Sequence, residues 1–168
     1  MPHHKNVANK TAHSRYHINL RLERWHRRCI YASCLVLLLS GATWLVARHF
    51  LRPVGQFGET IHPFEPWAMK VHGAGTMAML FFLGSLLNSH IRRALTAGRN
   101  LASGWSMIGT MALLTVTGFG LYYLAGENDR PQWSLVHWAL GLGLPVLVIA
   151  HVLIGRASRK APPHDRTR

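Results

Sequence analysis

Acidic side chains are scarce in this chain: six Asp and Glu stand against nineteen Lys and Arg in 168 residues. None of the six falls within four long apolar stretches, roughly Cys29–Phe50, Trp67–Ile91, Leu101–Ala125 and Gln132–Ile154. That absence argues against a small transporter or channel, which needs intramembrane acids or broken helices, and only Pro145 hints at such a break. Cysteine is limited to Cys29 and Cys34, on different faces of the first stretch, where packing is their ordinary role. There is no internal repeat and no low-complexity segment. A cleavable secretory leader is not expected either, because the polar lead is too long and no small-residue cleavage site follows the apolar run.

Each apolar stretch is long enough to cross a bilayer as a helix. The expected fold is therefore all-α, an integral membrane four-helix up-down bundle. Its organisation would be a basic tail over 1–25, a transmembrane domain over 26–156 and a second basic tail over 157–168. Residues 15–28 are basic with apolar residues interspersed, and suit an interfacial helix leading into the first span. Lys70 is the main charged intrusion into the spans. The long connection 51–66, with Pro53, Pro63 and Pro66, should lie outside. The turns near 97–100 and 126–131 are short, so consecutive helices should be antiparallel neighbours.

The net charge of +13 would suit nucleic acid, but its distribution does not. Lys and Arg concentrate in the two tails and the 92–100 loop. Arg48, Arg52, Lys70 and Arg130 lie on or near the other side, with Glu59, Glu65, Glu127 and Asp129. By the positive-inside rule both termini are cytoplasmic, and the basic flanks do topology and lipid work.

Histidine is the residue the spans should not contain without a reason. His137 and His151 are fourteen residues apart, so they fall about 40° short of four turns and about 21 Å apart along one face. In an up-down bundle, His26 shares the inner depth of His151, and His72 the outer depth of His137. Two pairs are thus expected, His26 with His151 and His72 with His137. Each supplies two axial nitrogens to one haem iron, and bundles build cofactor sites from facing helices in this way. There is no C-x-x-C-H for covalent attachment, which fits b-type haem. His90 follows His72 by eighteen residues, five full turns, and is the alternative inner partner of His151. His49 and His62 read as solvated. A zinc centre is disfavoured because four ligands would have to converge on one point. The bland alternative is a set of separate core histidines in a structural anchor subunit.

The segments RWHRRCIYASCLVLLLSGATWL, KVHGAGTMAMLFF, TVTGFGLYY and HWALGLGLPVLVIAH resemble, in order, the four spans of cytochrome b561-type proteins and formate dehydrogenase gamma subunits. The likeness covers roughly residues 21–156. It implies a bacterial inner-membrane subunit with two haems b, passing electrons between the quinone pool and a partner redox protein, often on the outer side. Carried over, the ligands are His26, His72, His137 and His151; His90 departs from the pattern. Arg27, Arg28 and Arg92 are candidates for contacting haem propionates, or are topology charges. Glu59, Glu65 and His62 are candidates for proton exchange at an outer quinone site.

Overall fold

A computed structural model describes residues 22–98 and 100–160. The expected tail helix before residue 22 and the last eight residues lie outside that range. Helix α1 spans Arg24–Phe50, α2 Phe64–Leu86, α3 Arg92–Thr96, α4 Leu101–Tyr123 and α5 Arg130–Lys160. A single π turn, Leu87–Ile91, joins α2 to α3, so that Phe64–Thr96 forms one long rod. Four helices are long and apolar enough to cross a membrane. The protein is mostly helical, as its apolar runs require. The 51–63 connection adds one feature that the sequence reading lacks, a two-residue antiparallel ribbon of β1 (Val54–Gly55) and β2 (Gly58–Glu59). Gly58 turns this ribbon at φ 103°, a conformation open to glycine without strain. Pro66 falls inside the first turn of α2, where the missing N–H costs nothing. α5 continues through Pro145 without interruption.

Hydrogen bonds fix the helix directions. Arg52 meets Glu65, Ser40 meets His72 and Ser85 meets His26, so α1 and α2 run antiparallel. Thr117 meets His137, and Ser103 meets His151, so α4 and α5 do too. These two hairpins are closely packed within themselves and touch one another sparsely. Within the first, a Cβ on Gly75 would sit 3.1 Å from Val36 Cγ1, the close backbone approach that small residues permit in lipid. Within the second, the Trp133 ring covers Gly120, while its Nε1 donates to Asp129 Oδ2 at 3.1 Å. A Cβ at Gly120 would overlap that anchored ring. Gly120→Ala is therefore expected to destabilise the protein by about 1–3 kcal/mol, the usual cost of overpacking. Thermal unfolding followed by circular dichroism checks this. Gly109→Ala, where nothing stands within 4 Å of the new methyl, should leave the midpoint unchanged or raise it.

No large side chain among the described residues is fully buried, and Leu35, Leu39, Phe81, Phe119, Val146 and Ile149 face outward. In water such a surface drives association. In hydrocarbon it carries no penalty, since lipid tails are as apolar as leucine. Two cations within the spans lie over aromatic faces. The Lys70 ammonium is 4.7 Å from the Trp67 ring centroid, and the Arg48 guanidinium 5.3 Å from that of Trp44. Both belong to the half of the bundle where long cationic side chains reach the interface.

One end of the first hairpin is clasped by an ion pair. Arg52 donates from Nε to Glu65 Oε1 at 2.7 Å and from Nη2 to Oε2 at 2.6 Å, a bidentate geometry. The His62 backbone N–H adds a third bond to the same carboxylate at 3.3 Å. Glu65 is only 4% exposed. This carboxylate holds the loop on α2.

Candidate functional site

Four histidines meet between the two hairpins, in two pairs at two depths. His72 on α2 faces His137 on α5, with ring centroids 6.2 Å apart and planes at 68°. His90 in the π turn faces His151 on α5 at 6.4 Å and 82°. Both pairs join the parallel rods α2 and α5, where backbone packing is otherwise sparse.

The outer pair brings together the two residues expected there. At the inner depth the structure sets His90 beside His151, in place of the expected His26. His26 lies at the start of α1, 9% exposed, with Trp25 stacked at 5.1 Å. Its Nε2 is 2.7 Å from Ser85 Oγ and 3.4 Å from the Phe82 carbonyl. The ring thus ties α1 to α2 inside one hairpin. His90 is carried by the same rod as His72, whereas Ser85 and Trp25 hold His26 within the first hairpin. Eighteen α-helical residues from His72 would carry His90 about 27 Å along the axis, against about 21 Å between His137 and His151. A π turn accommodates an extra residue without a matching rise, and takes up part of this excess.

Three of the paired rings are held from behind by a hydroxyl. His72 Nδ1 is 3.0 Å from Ser40 Oγ, His137 Nδ1 is 2.8 Å from Thr117 Oγ1, and His151 Nδ1 is 3.0 Å from Ser103 Oγ. Glycine follows each of these residues: Gly41, Gly118 and Gly104. A Cβ on Gly41 would stand 3.4 Å from His72 Cε1, and one on Gly118 3.2 Å from His137 Cε1. These hydroxyls were missed as site residues by reasoning from histidine spacing. The signal that could have found them is the Ser-Gly or Thr-Gly step recurring at the depth of a histidine.

Ring spacing restricts what the pairs can do. A direct imidazole–imidazole hydrogen bond would bring centroids to about 5.2 Å, from an N···N distance of about 2.9 Å. Two imidazoles bound on opposite sides of one metal, with bonds of about 2.0–2.1 Å, have centroids roughly 6.4 Å apart. The observed 6.2 and 6.4 Å match the second arrangement. With Nδ1 engaged by a hydroxyl, Nε2 is the nitrogen left to act as a ligand. Among the described residues no three His, Cys, Asp or Glu side chains converge on one point. Each pair could supply two imidazole nitrogens to a metal that brings its remaining ligands with it.

Of the other candidates, Arg27, Arg28 and Arg92 are exposed, at the end of the bundle that carries His26 and His90. His49 is exposed, and His62 is half-buried with its Nδ1 accepting the Phe64 N–H at 3.2 Å. Cys29 and Cys34 are free thiols, half-buried in α1. Compared with protein-family models, curated proteins and solved structures, the chain matches none.

Proposed function

We propose that this protein is a dihaem b-type membrane cytochrome that carries electrons across a bacterial inner membrane, between the quinone pool and a partner redox protein on the outer side. The observation that carries this reading is the double histidine pair, each at the spacing of two axial ligands and each bridging the same two rods. In it, His72 and His137 hold the outer haem, and His90 and His151 the inner one. His26 becomes a structural residue of the first hairpin. Both termini face the cytoplasm, following the basic flanks.

When bound, haem iron supplies a one-electron couple at each depth. This chain's own residues do the rest. The four imidazoles would hold the two haems, and the hydroxyls of Ser40, Thr117 and Ser103 orient three of them. Arg27, Arg28 and Arg92 offer charge-assisted donors for propionates at the inner face. Spacing the two sites by about four helical turns distributes the transfer over a layer that a single centre could not span.

The test is a reduced-minus-oxidised visible spectrum of the purified full-length protein, with haem quantified per chain. Two low-spin haems b per chain are expected. A well-folded preparation, made with ample haem and containing none, would overturn the proposal in favour of a non-haem anchor subunit.

A further inference from the structure

Each hydroxyl behind a paired histidine also has a backbone carbonyl of its own helix within reach of its proton. Ser40 Oγ donates to the Val36 carbonyl at 2.7 Å, with the Leu37 carbonyl at 3.2 Å. Thr117 Oγ1 donates to the Leu113 carbonyl at 2.7 Å, and Ser103 Oγ to the Asn100 carbonyl at 3.2 Å. Mid-helix Ser and Thr commonly bond back in this way. A hydroxyl has one proton and two lone pairs, so in each case the oxygen is left to accept. With the hydroxyl proton on the carbonyl, the neighbouring imidazole Nδ1 is the atom that carries the hydrogen, and for His72 and His137 the Leu37 and Leu114 carbonyls stand by as further acceptors.

We infer that Ser40, Thr117 and Ser103 are positioning residues that lock His72, His137 and His151 in the tautomer protonated at Nδ1, with the Nε2 lone pair bare for a metal. His26 supplies an internal contrast. Ser85 Oγ donates to the Phe82 carbonyl at 2.7 Å and lies 2.7 Å from Nε2 of His26, not from Nδ1. The same accounting puts the hydrogen on Nε2 there, which withdraws that nitrogen from ligation. One rule therefore separates three ligands from the buried histidine that closes a hairpin. Neutral hydroxyl acceptors also polarise Nδ1–H less than a carboxylate would, so the ligands keep the character of neutral imidazole. The tautomer assignment stands on these hydrogen bonds alone; its use in tuning a metal rests on the dihaem reading.

The test uses full-length protein in lipid nanodiscs, ¹⁵N-labelled at histidine and assigned by single substitutions. Expected are Nδ1-protonated rings for His72, His137 and His151, and an Nε2-protonated ring for His26. Ser40→Ala, Thr117→Ala and Ser103→Ala should each release the tautomer of their own histidine only, and Ser40→Thr and Thr117→Ser should retain it. In haem-loaded protein, loss of an acceptor makes the imidazole a weaker donor. The midpoint potential of that centre alone should then rise in a redox titration. Nε2-protonated rings at His72, His137 or His151, or alanine variants that move neither tautomer nor potential, would overturn the inference. Correct tautomers in a protein that binds no haem would uphold it and sink the dihaem reading instead, so the two failures are distinct.

Discussion

On the dihaem reading, replacing His90 with alanine is expected to halve the haem content, from two haems per chain to one, while His26→Ala retains both. The first half of this expectation follows from ligation. His90 is the ring beside His151 at 6.4 Å, and a b-type haem has no covalent tether to hold it once one axial ligand is gone. The second half follows from what His26 does instead. Its Nε2 bonds to Ser85 across the first hairpin, under the stacked Trp25 ring. Removing it leaves a small cavity and an unsatisfied Ser85 lone pair, a loss of stability on the order of 1–3 kcal/mol. A lower melting temperature at unchanged haem stoichiometry is the expected signature. Haem quantification beside an optical spectrum separates the cases. One haem in His26→Ala and two in His90→Ala would restore the pairing suggested by sequence resemblance. His72→Ala and His137→Ala should each remove the outer haem and spare the inner one.

Enlarging the glycine beneath an outer ligand should have the next largest effect. If His72 and His137 hold a haem as proposed, Gly118→Val is expected to abolish its binding, with Gly118→Ala weakening it and Gly41→Val behaving alike. At Gly118 even a methyl would stand 3.2 Å from His137 Cε1, and at Gly41 3.4 Å from His72 Cε1. A methyl forces a shift of a few tenths of an ångström, and overpacking at this level costs about 1–3 kcal/mol. A branched side chain cannot be met by so small a movement. The ring must swing away from its hydroxyl, Thr117 or Ser40, and the axial direction goes with it. Gly109→Val, where the new Cβ meets nothing within 4 Å, is the matched comparison and should keep both haems. Equal haem loss at Gly109 and Gly118 would show that the effect is general to these helices and not a consequence of ring displacement.

The apolar runs made the helices legible without coordinates. A stretch such as Leu101–Ala125, free of acids and long enough to span hydrocarbon, has few alternatives to a helix. Short turns at 97–100 and 126–131 likewise leave the helices on either side little choice but to fold back on each other. The depth of each histidine follows from residue counting, because rise per residue is a constant of the helix. His72 and His137 could be matched on that basis. The inner partner could not. His26 and His90 sit at comparable depth, and counting alone does not say which helix presents its ring to α5.

Tertiary structure decided that question, and the reason lies in features that no local pattern encodes. His90, within the π turn Leu87–Ile91, faces His151 on α5 only once the two hairpins have packed together. Ser85 and Trp25 claim His26 only once α1 and α2 have closed into a hairpin. The hydroxyls that orient the other rings come from α1 and α4, thirty-two residues away for Ser40 and forty-eight for Ser103. Sequence by itself determined that the chain builds four apolar helices and carries histidines at two depths, because both are consequences of periodicity and solvent. Which rings face each other arose from packing between helices, where a shift of one turn exchanges one histidine for another.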